Sequence, residues 1–465
     1  MATGNRSATD TISGKLALGS ATRTFAIGDS GSNFAEMEVQ AVISGSAVGI
    51  TKADYGVLVL SGANTYTGET TVDGGLLRLA NNSALGTSAG GTTVNDGASI
   101  GLAGVTITDE NLTLIGLGIV DPAGDVAGAL RNYSGNNTIS GTGNIDVGSA
   151  SVLTTRITAY INPTTLTLSG AGVVQGAASG DQTLELYGQA LSTGIISRII
   201  QNGSATSLSI TKAEEGTWVF SGNNTYTGPT NVTAGTLLVN GNQAAATGAV
   251  TVASGATLGG TGTLGGATTI AGAVSPGIGG IGTLNIANSV TWQGAASASS
   301  STDWIFQLGA SNSSDLLNIT GDFLKDYTTY GTTFRFDFGG STNTGTFKLV
   351  DWSGTSSFDP GDFSFTNLGS GLEGSFSISG TELNFSTFPP VPEPATWIAM
   401  AALILTGGTM ALRRRRNCSP CLQTNVRPYP ERARVFPSRN GGFTSIDCGS
   451  GPIARNPHQG YLGLI

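Results

Sequence analysis

The sequence is almost without the residue types that most catalytic and metal sites require. Of its 465 residues, one is His and three are Cys, and all four lie beyond residue 417. Residues 1–417 therefore cannot form a Ser-His-Asp or Cys-His catalytic site, a histidine-bearing zinc site, a haem site or a disulfide. We predict that the protein is not an enzyme and has no catalytic residue, cofactor or metal ion.

Charged residues are scarce as well, at 11% of the chain, against about 25% in an average soluble domain. They are also unevenly distributed. Residues 1–412 hold 12 basic and 28 acidic residues, whereas residues 413–465 hold nine Arg and two acidic residues. Because nucleic-acid binding needs a basic surface, the acidic body predicts no nucleic-acid partner and a soluble, self-repelling surface.

Glycine is abundant, with 71 residues, and it follows no Gly-X-Y period. Together with many Ser, Thr, Asn and Val residues, this predicts short strands joined by tight turns. A chain of this length must divide into domains or stack repeats. Residues 51–79 and 211–239 do repeat, since at a constant offset of 160 positions they are identical at 16 of 29 positions.

Each repeat predicts three short strands. In the first repeat they are residues 57–60, 70–72 and 76–79, separated by glycine-containing corners, because Gly accepts positive φ without steric cost. Three strands in about 25 residues make one coil of a β-solenoid. Coils must stack, about 4.8 Å apart, to bury their apolar side chains. We predict an all-β fold, with a right-handed β-solenoid of the pectin-lyase-like β-helix kind over residues 1–293.

Both repeats carry the pattern Gly-x-x-x-x-Ser-Gly-x-Asn-Thr-Tyr-Thr-Gly, which begins at Gly56 and again at Gly216. In this pattern they resemble the autotransporter-associated β-strand repeat, a module of bacterial surface proteins. The resemblance implies a building block of a secreted β-helical stalk rather than a catalytic centre. The motif residues are Gly62, Asn64, Tyr66 and Gly68 in the first copy and Gly222, Asn224, Tyr226 and Gly228 in the second.

Two interpretations of the motif's Asn and Tyr side chains remain open. One is a ladder that stacks on sugars or is recognised during export. The other, which we favour, is a structural corner in which Asn forms a local hydrogen bond and Tyr packs over the turn.

The composition changes at the Ser- and Ala-rich residues 294–302, which are typical of a linker. Beyond them, 12 of the 17 Phe residues lie between Phe306 and Phe388, and segments such as residues 334–338 alternate apolar and polar residues. This period of two predicts half-buried antiparallel strands. We therefore predict that residues 303–388 form a β-rich module that caps the open end of the solenoid.

The same module is rich in Asp, and Asp359 and Asp362 flank a Pro-Gly turn. A calcium site would need six to eight oxygen ligands, and the sequence has no EF-hand loop or calcium-binding nonapeptide. We favour Asp as a turn residue in exposed loops.

Residues 391–417 contain three elements in succession. They are Pro392, Glu393 and Pro394, then the uncharged stretch 395–412, and finally Arg413, Arg414, Arg415 and Arg416. As a helix, the uncharged stretch would span about 27 Å, close to the thickness of a bilayer core. We predict one C-terminal transmembrane helix at residues 395–412 in the bacterial inner membrane, with the Arg cluster in the cytoplasm and the body outside. The alternative is a buried helix of a globular domain.

In this order and spacing, the segment resembles the PEP-CTERM protein-sorting signal of bacterial envelopes, often those of species that make exopolysaccharide. The resemblance implies that an integral-membrane exosortase recognises Pro392, Glu393 and Pro394, and that residues 413–416 retain the protein in the membrane. It also implies a location in the cell envelope, anchored at the C-terminus, with release to the surface after processing. Exopolysaccharide or other surface glycans are the further partners that it suggests.

Both ends of the sequence depart from this pattern. Members of the family normally stop soon after the Arg cluster, whereas residues 418–465 follow here without apolar periodicity. We predict a disordered extension from read-through or a frameshift, in preference to a metal site at Cys418 and Cys421. Residues 1–7 show no secretory signal, so we expect either a fragment or a start codon assigned too far downstream.

Together these features predict a non-enzymatic, exported structural protein of the cell envelope, either a stalk or a component of the extracellular matrix. Two alternatives remain, a glycan-binding adhesin and a polysaccharide lyase or hydrolase, because such enzymes also use β-helices. An enzyme of this kind needs clustered carboxylates. The adjacent pairs Asp109-Glu110 and Glu214-Glu215 instead point to opposite faces of any strand that they occupy.

Overall fold

A computed structural model describes residues 9–31, 35–120, 127–160, 163–277, 279–295, 302–326 and 331–390. The chain divides into two compact units, residues 1–391 and 392–465. All described residues belong to the first unit.

Several predicted features lie outside the described residues. They are the sorting signal at residues 392–394, the uncharged stretch 395–412, the Arg cluster 413–416 and the extension 418–465. Among the residues that are described, no helix is long and apolar enough to cross a bilayer. The transmembrane helix at residues 395–412 stays a prediction.

The described residues form 42 β-strands, no α-helix and two short 3₁₀ helices, at Ala310–Asn312 and Pro360–Asp362. In chain order, the strands are β1 (Asp10–Ile12), β2 (Lys15–Ala17), β3 (Arg23–Ala26), β4 (Met37–Val39), β5 (Val42–Ser44), β6 (Ile50–Ala53), β7 (Val57–Leu60), β8 (Thr70–Val72), β9 (Gly75–Leu79), β10 (Thr92–Val94), β11 (Ala98–Ala103), β12 (Thr106–Thr108), β13 (Leu112–Leu114), β14 (Leu130–Ser134), β15 (Asn137–Ser140), β16 (Ile145–Val147), β17 (Thr154–Ala159), β18 (Thr165–Leu168), β19 (Val174–Gly176), β20 (Asp181–Gly188), β21 (Thr193–Ile196), β22 (Ile200–Gly203), β23 (Ser207–Lys212), β24 (Thr217–Phe220), β25 (Thr230–Val232), β26 (Gly235–Val239), β27 (Asn242–Gln243), β28 (Val250–Val252), β29 (Ala256–Gly260), β30 (Thr263–Leu264), β31 (Thr268–Ile270), β32 (Ala273–Pro276), β33 (Thr283–Ile286), β34 (Val290–Gln293), β35 (Trp304–Ile305), β36 (Leu316–Ile319), β37 (Phe323–Asp326), β38 (Phe334–Ser341), β39 (Gly345–Trp352), β40 (Phe363–Leu368), β41 (Glu373–Ser379) and β42 (Glu382–Phe388).

Most of these strands belong to three long sheets. Sheet S1 has the order β1-β4-β7-β9-β11-β14-β17-β20-β23-β25-β28-β31-β34-β37. Sheet S2 has the order β3-β6-β8-β10-β13-β16-β19-β22, and sheet S3 has the order β12-β15-β18-β21-β24-β26-β29-β32. Neighbouring strands are parallel throughout S1, S2 and S3.

From β11 to β24 the chain visits S1, S3 and S2 in turn and advances by one strand at each visit, which is the arrangement of a β-solenoid. The strands predicted for the first repeat are confirmed as β7, β8 and β9, with β9 beginning one residue earlier. The right-handed winding stays a prediction. Local alternation and glycine corners therefore predicted the coil correctly.

One continuous apolar core runs inside the coils. In β18, Leu166 and Leu168 are fully buried while Thr165 is half-exposed, because successive side chains of a strand point to opposite sides. Parallel pairing places Leu168 beside Ile196 of the next coil, and Ile196 beside Phe220 of the coil after that. Full burial of such side chains contributes roughly 1.5–3 kcal/mol each.

The alternating strands predicted within residues 303–388 are present, but the antiparallel pairing predicted for them was largely wrong. β34 pairs with β37, β36 with β39, and β38 with β40, all in parallel. Within the described part of this region, only the β39–β42 and β41–β42 ladders are antiparallel. Alternation shows which side of a strand is buried and not the direction of its neighbour. Whether residues 303–388 fold as a separate cap stays a prediction.

The aromatic residues of this region pack into one cluster that joins the last strands to the coils. Trp292 of β34 stacks on Trp304 of β35, with ring centroids 3.7 Å apart. Phe336 of β38 packs edge-on against both rings. Phe385 of β42 stacks on Phe338 of β38 at 4.3 Å, so the antiparallel pair β41–β42 is held by aromatic contacts as well as by backbone pairing.

Candidate functional site

The two repeat-motif corners occupy equivalent places in their coils. Residues 61–69 connect β7 to β8, and residues 221–229 connect β24 to β25. The side chains of Asn64, Tyr66, Asn224 and Tyr226 all point inward, and each residue exposes 3% or less of its surface. Buried rings cannot stack on a sugar outside the protein. The burial therefore supports the structural interpretation of the motif.

Each motif Asn connects neighbouring coils through backbone groups. Asn64 Oδ1 accepts a hydrogen bond from the N–H of Ile43 at 2.8 Å, and Asn64 Nδ2 donates to the carbonyl of Ala84 at 2.6 Å. Asn224 Oδ1 accepts from the N–H of Ile200 at 2.8 Å in the same way. One side chain thus satisfies backbone groups that a corner would otherwise leave buried without a partner.

Each motif Tyr closes its own corner. The Tyr66 hydroxyl lies 2.7 Å from Thr70 Oγ1, and the Tyr226 hydroxyl lies 2.7 Å from Thr230 Oγ1. Burial raises the pKa of Tyr226 to about 12 and raises that of Tyr66 further. Both phenols are therefore neutral, and each ring fills the interior of its corner while the hydroxyl keeps a hydrogen-bond partner.

Two buried lysines occupy a different bend of each repeat, just before β7 and β24, and the sequence analysis did not single them out. Lys52 Nζ donates to the carbonyls of Ala53, Asp54 and Gly74, at distances of 2.9, 2.6 and 2.9 Å. Gly74 belongs to the following coil, so this side chain also joins two coils. Burial lowers the pKa of Lys52 to about 8, against the attraction of Asp54 and Glu36.

Lys212 repeats this arrangement in the second copy, donating to the carbonyls of Ala213, Glu214 and Ala234 at 2.8, 2.6 and 2.8 Å. The signal in the sequence was the identical Thr-Lys-Ala that begins each copy, at residues 51–53 and 211–213. A lone buried lysine is rare. The residues next to it in the sequence do not predict that three backbone carbonyls will surround its ammonium group.

The glycines of the motif permit the close stacking of corners. A Cβ on Gly62 would overlap the carbonyl oxygen of Ala41, and a Cβ on Gly222 would overlap that of Arg198. No residue with a side chain fits at either position without moving the backbone of the preceding coil.

The two copies occupy different sheets despite their similar sequences. In the first copy, β7 and β9 belong to S1 and β8 belongs to S2. In the second copy, β24 and β26 belong to S3 and β25 belongs to S1. The second copy is therefore shifted by one face of the coil relative to the first, although the hydrogen bond from Asn Oδ1 to the preceding coil and the Tyr–Thr hydrogen bond recur in both corners.

Asp109 and Glu110 lie between β12 and β13 rather than in a strand, so strand alternation does not apply to them, but one is exposed and the other is buried. Glu110 is buried and accepts a hydrogen bond from Thr92 Oγ1 at 2.7 Å. Burial raises the pKa of Glu110 to about 7. Asp109 is on the surface and accepts hydrogen bonds from the N–H and hydroxyl of Thr142, which hold its pKa below the usual range. The two groups do not face a common cleft.

A cluster of arginines and tyrosines lies on the outer side of S1. Its cation–π pairs join Arg78 to Tyr133 at 4.9 Å, Arg131 to Tyr160 at 5.0 Å and Arg156 to Tyr187 at 3.6 Å, measured to the ring centroid. Arg156 also pairs with Glu185 at 2.9 Å. Because Arg131 and Arg156 are largely buried, these contacts stabilise neighbouring strands rather than present free charge.

We predict that Asn64→Ala weakens the stack. The substitution leaves the N–H of Ile43 and the carbonyl of Ala84 buried without this partner, so the free energy of unfolding should fall by about 1–3 kcal/mol. The control is Thr65→Ala, because the Thr65 side chain is exposed and its loss should change that free energy by less than about 0.5 kcal/mol. Urea unfolding followed by circular dichroism measures both. Equal losses would contradict the role of Asn64.

We also predict a pH-dependent contribution from Glu110. Its pKa rises from 4.5 to about 7 on folding, so the folded state binds the proton more tightly. The contribution to stability is complete below pH 4.5 and is lost as the pH rises through 7. The difference in free energy of unfolding between wild type and Glu110→Gln should fall over this range.

Asp109→Asn is the matched control, because the pKa of Asp109 is lowered on folding. Its difference from wild type should not fall between pH 4.5 and pH 7. A constant difference for Glu110→Gln over the same range would show that Glu110 does not titrate as its burial requires.

Comparison with known proteins gives two similarities. Residues 50–79 and 210–239 match the passenger-associated-transport-repeat family, which confirms the resemblance of the two repeats to the autotransporter-associated module. The chain is also 28% identical over 238 residues to the adhesin BmaC autotransporter of Brucella suis biovar 1 (strain 1330). That similarity covers 41% of this chain and 7% of the adhesin, so the chain spans a small part of the relative's length.

Proposed function

We propose that the chain is part of an exported bacterial surface protein, in which the solenoid acts as a non-catalytic stalk with an adhesive role. The observation that carries the proposal is the use of the repeat motif. Its Asn, Tyr and Lys side chains are buried and bind backbone and side-chain groups inside the stack. The similarity to a passenger-associated repeat supports export, and the similarity to an adhesin supports adhesion.

The alternative of a polysaccharide lyase or hydrolase has less support. Asp109 and Glu110 lie on different sides of the chain. Within the residues that the structure describes, no group of three or more His, Cys, Asp or Glu side chains is placed to hold a metal ion. These observations favour a role that depends on shape and surface contacts.

Delivery to the surface is the second part of the proposal. We propose that residues 391–417 act as a sorting signal, with recognition of Pro392, Glu393 and Pro394 by an exosortase. The uncharged residues 395–412 would anchor the chain in the inner membrane, and residues 413–416 would retain it until processing. The order and spacing of these three elements in the sequence support this part.

Replacement of Pro392, Glu393 and Pro394 by Ala should hold the protein in the inner membrane of a host that has an exosortase. Pro389→Ala with Pro390→Ala is the matched control, because these prolines come just before the signal. Membrane fractionation and immunoblotting measure the distribution. If the triple variant reaches the surface as wild type does, the sorting proposal is wrong.

The surface role predicts that protease added to intact cells cleaves residues 1–390. It also predicts that the purified full chain does not turn over acidic polysaccharides. Complete protection of the chain in intact cells would contradict export. Sustained release of unsaturated or reducing sugar ends would contradict the non-catalytic role and favour a lyase or hydrolase.

A further inference from the structure

Sheet S3 carries three parallel rows of side chains on its outer side. The first row consists of Thr165, Thr193, Thr217, Thr236 and Thr257, which the ladder β18-β21-β24-β26-β29 places in register. The second row, two residues further along each strand, consists of Thr167, Ile195, Val219 and Leu238. The third row, just beyond the strands, consists of Ser169, Ser197, Ser221 and Asn240. We call these rows the S3 strip.

The S3 strip is accessible and firmly supported. Members of the first two rows are half-exposed, and Ser197 and Ser221 are exposed. Among the hydrogen bonds of the described residues, none uses a side-chain hydroxyl of the first row. Beneath the strip, Trp218 is fully buried and its Nε1 donates to the carbonyl of Tyr187 at 3.0 Å. A fixed surface of this kind loses little conformational entropy when it binds a ligand.

The absence of charged side chains from the S3 strip limits which ligands it can bind. None of its three rows contains an ionisable side chain, although the chain as a whole carries a net charge of −9. An acidic or basic ligand would form no ion pair there and would lose part of its hydration. The complementary ligand is therefore neutral.

The S3 strip by itself is smaller than a stable protein interface. From the strand rise and spacing, the rows cover roughly 13 Å by 19 Å, or about 250 Å². A stable protein interface buries about 800 Å² on each partner. A narrow ligand that follows the rows from coil to coil fits this area better than a second copy of the chain.

We propose that the S3 strip binds an extended, neutral polysaccharide that runs along the stack of coils. A sugar ring presents C–H groups on its faces and hydroxyls at its edges. The aliphatic row of Ile195, Val219 and Leu238 matches the face, and the flanking Thr, Ser and Asn groups match the edges. Coils advance by about 4.8 Å, comparable with the length of one sugar unit, so contacts repeat along the polymer.

This inference rests on the proposed adhesive function and gives it a ligand class. The test uses the purified full chain and immobilised neutral glucan, mannan and xylan oligomers, with polygalacturonate for comparison. At least one neutral oligomer should bind, with little dependence on salt. Val219→Lys should weaken that binding by at least about tenfold, because it places a long charged side chain on the central row.

Thr193→Lys provides a second variant on the neighbouring coil and should also weaken binding. The matched control is Thr251→Lys on the exposed outer side of β28 in S1, which should bind as wild type does. Circular dichroism melting shows whether each variant is folded.

Three outcomes of the binding assay would overturn the inference. They are no binding to any neutral oligomer, binding restricted to polygalacturonate, and equal binding by wild type and both folded strip variants. A change in oligomeric state caused by Val219→Lys in sedimentation experiments would assign the strip to contacts between copies instead. The assay needs no export, so failure of surface delivery and failure of glycan binding are separate results.

Discussion

Close stacking of the backbone from coil to coil is the constraint on which the rest of this structure depends. Parallel strands lie about 4.8 Å apart across each sheet, and the corners approach one another as closely as the strands do. Gly62 and Gly222 lie where a Cβ atom would overlap a backbone carbonyl oxygen of the preceding coil. Asn64 and Lys52 supply hydrogen bonds to backbone groups of adjoining coils. The parallel sheets and the continuous internal core both follow from this close stacking of successive coils.

The same constraint separates structural residues from those that are free to bind. Inside the stack, an isolated lysine would be costly to bury, but Lys52 and Lys212 each meet three carbonyl oxygens. These side chains are committed to neighbouring coils. The outward-facing Thr hydroxyls in the first row of the S3 strip form no such hydrogen bonds with the described residues, so this surface is free to contact other molecules. The Asn and Tyr side chains of the repeat motif, which stand out most clearly in the sequence, are therefore buried and cannot contact a ligand.

Local features of the fold were predictable from the sequence, and long-range ones were not. Residues 57–60 and 70–72 were predicted as strands because alternation and flanking glycines act within a few residues. The pairing of β38 was predicted as antiparallel, but β38 and β40 are parallel. The prediction was wrong because apolar and polar residues alternate in the same way in parallel and antiparallel strands. Lys52 was overlooked because its three partners come together only when two coils stack.

By itself, the sequence determined the coil, its corners and the side of each strand that is buried, since these depend on contacts between near neighbours. Only the tertiary structure decided which sheet each repeat joins, and the second copy lies one face away from the first. Only the tertiary structure also aligned the row from Thr165 to Thr257. Its members are 28, 24, 19 and 21 residues apart, so no fixed period exists in the sequence. The rows form because backbone pairing sets the register, whatever the length of the corner between two strands.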